Sequence, residues 1–238
     1  PSPRVGEGVA KRRKGGFSVV DGDAFVARLR RLDACAVSDA LDHLKLGGVV
    51  SHVPQQSGEG RIAGRAVTVK LGVGPTPSGP PRHLGTAAVE AGGPDCVIVI
   101  EQRSGIEAGS WGGLLTLGAK LRGVAGVVCD GPVRDIDEAR AHGFAIFARE
   151  LTAKTARGRI VELGTNMPVM FETVKVAPGD YVIADRSAVI FIAAADIARV
   201  LDVAETIAAK EAAMAKALTD GEPISQIMAG NYEHMLRR

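Results

Sequence analysis

Two short stretches hold the side chains of this sequence best suited to chemistry: Gly109-Ser110-Trp111-Gly112-Gly113-Leu114-Leu115 and Asp130-Gly131-Pro132-Val133-Arg134-Asp135. Arg134 offers a planar fork of donors that fits a carboxylate or an enolate oxygen, and Asp135 offers hard oxygens that suit Mg²⁺ or Mn²⁺. Gly112 and Gly113 let the backbone approach a ligand closely. The amides of Leu114 and Leu115 then become unpaired donors at a helix N-terminus, which attracts a carboxylate. Taken together these groups describe a metal-bound 2-oxo acid site. The same residues also have a plainer reading. An Asp in the first turn favours the helix dipole, Asp130 can hold a turn through local hydrogen bonds, and Gly-Gly turns without ligands are frequent. Spacing alone leaves both readings open.

The elements around these stretches alternate. Helical spacing over 82–91, 111–122 and 134–141 is interleaved with the apolar runs Cys96-Val97-Ile98-Val99-Ile100, Ala125-Gly126-Val127-Val128-Cys129 and Phe144-Ala145-Ile146-Phe147. Apolar strands separated by helices predict a parallel sheet covered on both faces, with right-handed crossovers and a site beyond the carboxyl ends of the strands. On this reading 130–135 is a polar turn after the middle strand. Upstream, apolar residues at helical spacing predict a helix over 23–32, and Ser38 is placed to cap a second through Leu41 and Leu44. Residues 61–71 alternate as a strand, and 72–81 form a Gly/Pro loop. After residue 158 short strands are expected at 161–163, 167–171, 174–176, 181–184 and 189–192. A long helix over 195–218 follows, ended by Gly221-Glu222-Pro223.

The 238 residues, 46% hydrophobic and 24% charged with a net charge of +2, suit a single α/β domain rather than a disordered chain. The mixed charges predict no nucleic-acid stripe and no membrane surface. Lys11-Arg12-Arg13-Lys14 is the exception, and it falls in a Gly- and Pro-containing arm over 1–16. The expected organisation is that arm, one domain over 17–220 and a tail over 221–238. Cys35, Cys96 and Cys129 are odd in number and lack CxxC spacing, so neither a disulfide nor a zinc site is expected. No apolar stretch approaches the roughly 18 residues of a membrane span, and the start lacks the layout of a signal peptide. A cytoplasmic location is expected.

The run from Gly112 to Asp135, with Gly126-Val127-Val128, Asp130-Gly131 and Val133-Arg134-Asp135, resembles the signature of the regulator of ribonuclease activity A-like (RraA-like) family. That family includes 4-hydroxy-4-methyl-2-oxoglutarate/4-carboxy-4-hydroxy-2-oxoadipate aldolases, which also decarboxylate oxaloacetate. The similarity extends to Val37-Ser38-Asp39-Ala40-Leu41-Asp42, to Gly64-Arg65-Ala66-Val67-Thr68-Val69 and to the segment from Pro178 through Asp185. The resemblance implies a swivelling β/β/α fold with a partly parallel sheet, assembled as homotrimers or homohexamers with the site at a subunit boundary. It implies a class II, metal-dependent lyase acting on a small 2-oxo acid, with Mg²⁺ or Mn²⁺ as cofactor and pyruvate as product. Arg134 would bind the pyruvate moiety and stabilise its enolate, Asp135 would contact the metal, and the amides of Leu114 and Leu115 would hold the carboxylate. A Glu from a neighbouring subunit's C-terminal region would move a proton through water. Glu211 is the first candidate and Glu205 the second.

One departure stands out. Where the aldolases carry an Asp that supports the metal through water, this chain has Gly113. Non-enzymatic regulators of the family also have Gly there, yet they lack the acid that this chain keeps as Asp135. Either metal affinity is weaker than in the aldolases or another acid, such as Glu107 or Glu101, fills the gap. His83, Arg82 and Arg103 are lesser candidates for the site. Trp111 would either wall the pocket or pack on the sheet, and Asp39 and Asp42 are expected to cap or face solvent. Two rival readings remain: a non-catalytic regulator that binds a ribonuclease or helicase, and an enzyme of the same fold acting on another oxo- or hydroxy-acid.

Overall fold

The structure is a computed structural model that describes residues 22–75 and 82–228. The basic arm, part of the Gly/Pro loop and the end of the tail, including Tyr232 and Met235, lie outside the described residues. The chain runs α1 (Ala24–Leu29), α2 (Ala34–His43), β1 (Val49–Val50), β2 (Gln55–Ser57), β3 (Ile62–Gly72), α3 (Thr86–Ala91), β4 (Cys96–Gln102) and α4 (Gly113–Leu121). It continues with β5 (Gly126–Val133), α5 (Ile136–Ala141), β6 (Ile146–Leu151), β7 (Val161–Thr165), β8 (Val169–Phe171), β9 (Val174–Val176), β10 (Tyr181–Ala184), β11 (Val189–Ile192), α6 (Ile197–Thr219) and α7 (Ile224–Met228).

A nine-stranded sheet in the order β1-β11-β10-β3-β4-β5-β6-β2 organises the molecule, with β7 pairing a further part of β3. β3, β4, β5 and β6 are mutually parallel, as the fully apolar runs require, whereas the outer pairs are antiparallel. β3 is long enough to share one edge between partners. Its first half meets β10, with Arg65 opposite Tyr181, and its second half meets β7, with Val69 opposite Thr165.

Side chains alternate across each strand and so divide between cores. Ile98 and Ile100 of β4 join Val127, Cys129, Trp111, Leu115 and Ala139 under α3, α4 and α5. Val97 and Val99 point the other way, to Phe147, Phe171 and Phe191, beneath the β8–β9 hairpin. Ile183 and Ile190 pack on Val37, Leu41, Val200, Leu201 and Ala204, which are the inner faces of α2 and α6. The fold is thus a mixed α/β domain with a partly parallel sheet, helices over it and a long C-terminal helix.

Three local expectations need correction. Ser38 sits inside α2; the cap is Asp33, whose extended backbone lets its carboxylate accept the Ala36 amide at 2.8 Å. The segment at 130–133 is strand rather than turn, because Asp130 is neutralised inside the sheet. Arg149 donates to it at 2.6 Å, the Glu172 amide at 2.8 Å, and Arg103 approaches to 3.7 Å. Finally, β1, β2 and α7 were not anticipated, being two, three and five residues long. Among the described residues no helix is long and apolar enough to cross a membrane.

Candidate active site

The carboxyl end of β5 delivers Arg134 and Asp135 to the start of α4. The connection is fixed by backbone bonds from Arg134 to the Trp111 carbonyl at 2.9 Å and from Ser110 to the Pro132 carbonyl at 2.8 Å. The loop before α4 is also tied to the chain beyond β6, through Gly109 to Lys154 at 2.9 Å. The two stretches singled out from the sequence are therefore one structural unit.

Asp135 has φ 57° and ψ 38°, the left-handed region that a residue with a Cβ enters at a cost of about 1–2 kcal/mol. It occupies the N-cap position of α5 yet makes no side-chain cap to that helix. Its Oδ2 instead accepts the Gly113 amide of α4 at 3.1 Å, and its Oδ1 accepts Arg134 Nε at 3.2 Å. The left-handed turn is what swings the carboxylate away from its own helix and towards the next. Backbone strain of this kind is typically kept where the surrounding structure requires a particular side-chain direction.

Three glycines make room for this arrangement by lacking side chains. A Cβ on Gly109 would lie 2.8 Å from Arg134 Cγ and Cδ, one on Gly112 would lie 2.8 Å from Asp135 Oδ2, and one on Gly113 would lie 1.8 Å from Glu138 Oε2. None of the three has a positive φ. Space, and not backbone freedom, is what glycine provides here.

Beyond Gly113 the next two amides are free. Thr116 donates to the Gly112 carbonyl at 3.0 Å, but among the described residues the amides of Leu114 and Leu115 meet no acceptor. The Leu115 side chain is buried in the core while that of Leu114 is 88% exposed. A ligand carboxylate reaching these amides would sit beside Asp135 and Arg134, whose side chains are 31% and 36% exposed. Trp111 takes the packing alternative: it is fully buried, with its indole N–H donated to Thr116 Oγ1 at 2.9 Å.

The acids expected to fill the place left by Gly113 are engaged elsewhere. Glu101 accepts the Met170 amide at 2.7 Å and pairs with Lys70 at 3.4 Å. Glu107 accepts the Thr152 hydroxyl at 2.8 Å, and hydrogen bonding from Lys154 and then Thr152 holds its carboxyl below the usual range. Besides Asp135, the acid whose side chain lies against Gly113 is Glu138, which sequence reasoning missed. A signal was present: Glu138 follows Asp135 by three residues, which puts both on one face of α5 and forms the Asp-x-x-Glu pattern of a capping box.

Glu211 is not brought to Arg134 within one chain. It lies on α6, where burial first, and then Asp33 and Asp39, push its carboxyl above the ordinary value. Asp39 is raised in the same way by burial, then by Asp42 and Asp33. Glu205 is committed to Arg28, with contacts of 2.8 and 2.7 Å. His83 is exposed, its Nδ1 3.0 Å from its neighbour's carbonyl at Leu84, and Arg103 leans on Asp130.

The donor set bears on whether a divalent cation fits. Among the described residues no group of three or more His, Cys, Asp or Glu side chains could hold a metal. Two carboxylates, Asp135 and Glu138, do converge on the glycine pair from which α4 begins. A pair of hard oxygen donors, completed by water and substrate oxygens, suits Mg²⁺ or Mn²⁺ and not a zinc-type site.

A protein of Halalkalibacterium halodurans, named provisionally as a 4-hydroxy-4-methyl-2-oxoglutarate aldolase, is 30% identical over 82% of this chain and 89% of its own. An uncharacterised protein of Methanocaldococcus jannaschii is 32% identical over 51% of this chain, a match that spans only 58% of that protein's length. The structure of a Streptomyces coelicolor protein, described as an unusual member of the RNase ES inhibitor RraA protein family, superposes with a TM-score of 0.68. It is 23% identical, covers 78% of this chain and 93% of its own, and shows the shared fold. The family model described as RraA-like, Aldolase/RraA, matches residues 34–191, and the chain belongs to that family.

Proposed function

We propose that this chain is a divalent-metal-dependent lyase that cleaves or decarboxylates a 2-oxo acid and releases pyruvate. The observation that carries this reading is Asp135, held in a left-handed conformation so that its carboxylate lies between Arg134 and the start of α4. A residue retained only to start α5 would cap α5.

The chain's own groups divide the work. The amides of Leu114 and Leu115 would bind the substrate's 1-carboxylate at the positive end of α4. Arg134 would hold the 2-oxo oxygen and take up the negative charge that appears there as the bond between C3 and C4 breaks, its electron pair passing into the enolate while C4 leaves as CO2 from oxaloacetate or, on giving its hydroxyl proton to water, as a carbonyl from an aldol. A bound Mg²⁺ or Mn²⁺, held through Asp135, supplies Lewis-acid polarisation of the same oxygens. The electron pair returns to C3 with a proton from water. Glu211 of a neighbouring subunit is the proposed relay, and a carboxyl raised by burial, then by Asp33 and Asp39, favours the protonated form that a proton donor needs.

Assembly as a homotrimer or homohexamer belongs to the same proposal. Leu114, Leu117 and Leu121 form an apolar row on α4 beside the site, exposed by 88, 37 and 78%. A neighbouring subunit is the natural cover for such a row.

The test is oxaloacetate decarboxylation by the purified chain with Mg²⁺ or Mn²⁺. Activity should be lost in both Arg134→Ala and Asp135→Ala while circular dichroism and subunit assembly are unchanged. Full activity in both variants would overturn the reading.

A further inference from the structure

We infer that the buried ion pair of Asp130 and Arg149 is a positioning device for Arg134 and Asp135, setting the point at which they leave the sheet. This rests on the reading of Arg134 and Asp135 as the working pair of a lyase. The argument begins with an irregularity in β5. Between the pairs Cys129–Ala148 and Pro132–Glu150, β5 advances three residues while β6 advances two, so one extra residue is held in β5 at 130–131. Bulges of this kind re-aim side chains next to active sites. Beyond the bulge every residue is gripped from outside the strand. The Pro132 carbonyl accepts Ser110 at 2.8 Å, the Val133 carbonyl accepts Thr152 at 2.9 Å, and the Arg134 amide donates to Trp111 at 2.9 Å. A slip of one residue in β5 would carry Arg134 and Asp135 away from the start of α4.

Two features hold the bulge. Gly131 has no positive φ, but a Cβ there would lie 2.9 Å from the Gln102 carbonyl oxygen, so β5 is pressed against the backbone at the end of β4. Asp130 is fixed from the other side. Its side chain is 6% exposed, and both oxygens are spent on other elements. Oδ1 accepts Arg149 Nε of β6 at 2.6 Å, and Oδ2 accepts the Glu172 amide at 2.8 Å in the turn between β8 and β9, with Arg103 at 3.7 Å. Arg149 completes the clasp by donating to Glu172 Oε2 at 3.1 Å and to the His52 carbonyl at 3.5 Å. The directions of these bonds, more than their strength, are what the pair contributes. Desolvating two charges offsets much of their attraction, so apolar residues of similar volume generally hold a fold as well or better.

The test makes that exchange in the full chain. Asp130→Leu with Arg149→Met should keep the urea midpoint close to wild type. Its kcat for oxaloacetate with Mg²⁺ should fall about 10²-fold, the scale of a displacement of about 1 Å at a reacting group. KM should change far less, because the amides of Leu114 and Leu115 lie on α4, outside the clasp. Oxalate, a mimic of the enolate, should bind more weakly to the double variant by calorimetry while pyruvate binds as before. Wild-type kcat and oxalate affinity in the folded double variant would overturn this inference and leave the proposed lyase standing. A loss shared equally by pyruvate and oxalate would also overturn it, as would failure of the double variant to fold, which would assign the pair to stability alone. A wild-type chain that binds oxalate without turning over oxaloacetate would overturn the lyase and leave oxalate affinity to decide the inference. One that does neither would overturn both.

Discussion

Four helices among the described residues start from an N-cap aspartate, and two of them, α1 and α5, use it in opposite ways. At α1, Asp23 has an extended backbone and spends one carboxylate oxygen on the amides of Phe25 and Val26. Its other oxygen accepts Arg65 at 2.6 Å. At α5, Asp135 accepts a strained backbone and leaves its own helix uncapped. The residue type and the position in the element are the same; the destination of the carboxylate differs. Asp23 is bonded to its own helix and is the more enclosed of the two, whereas Asp135 is bonded to the start of another helix and keeps a more open side, as the proposed chemistry needs.

The contrast can be broken most sharply at Asp135. Asp135→Gly should cut decarboxylation by about 10²–10³-fold, the scale of removing one preorganised electrostatic contact. Its unfolding free energy should stay within about 1 kcal/mol of wild type, because relief of the left-handed backbone offsets the lost bond to Gly113. Steady-state kinetics beside a urea melt would show this, and a large loss of stability would make Asp135 a structural residue like Asp23.

Asp23→Ala should do the reverse. It should cost about 1–3 kcal/mol through the lost cap and the lost pairing with Arg65, with little change in kcat per folded molecule. The pH dependence of stability sharpens the point. Burial alone would raise the Asp23 carboxyl, but Arg65 and the amides of Val26 and Phe25 together bring it below the usual value. Its contribution to stability is therefore present above the unfolded pKa of about 3.9 and is lost as the pH falls through the lower folded value. Urea midpoints from pH 7 down to pH 3 should fall more steeply for wild type than for Asp23→Asn.

The smallest effect is expected at Glu211. Its raised carboxyl favours the protonated form in the folded state, so its contribution diminishes as the pH rises from the unfolded value towards the folded one. Glu211→Gln should raise the thermal midpoint slightly at pH 7 and leave it unchanged at pH 3, while slowing turnover. Unchanged turnover would remove Glu211 from the proposed reaction.

Much of this architecture was legible before any coordinates. The apolar runs at 96–100 and 125–129 could only be strands buried on both faces, and β4 and β5 lie there. Arg134 and Asp135 were legible because charged groups gathered after an apolar strand. What escaped depended on partners remote in sequence. Asp130 reads as a turn residue until Arg149 and Glu172 are seen to neutralise it inside the sheet. Ser38 and Asp33 are both good caps on paper, and only the register of α2 decides between them. Strands as short as β1 and β2 carry no period at all; they are held by the β11 and β6 edges they meet. Glu138 shared a helical face with Asp135 in the sequence, but that this face meets the start of α4 is a matter of how α4 and α5 pack.

The division of β3 between β10 and β7 has a bearing on how the molecule comes apart. The strand is hydrogen-bonded on the β4 side from Arg65 to Leu71, and on the other side β10 shields its start and β7 its end. Helices on either face of the sheet and the edge strands can therefore loosen independently, but β3 gives up its amide protons only when the sheet is dismantled. In a hydrogen–deuterium exchange experiment it should be the slowest-exchanging segment, the seam along which local breathing stops and global unfolding begins.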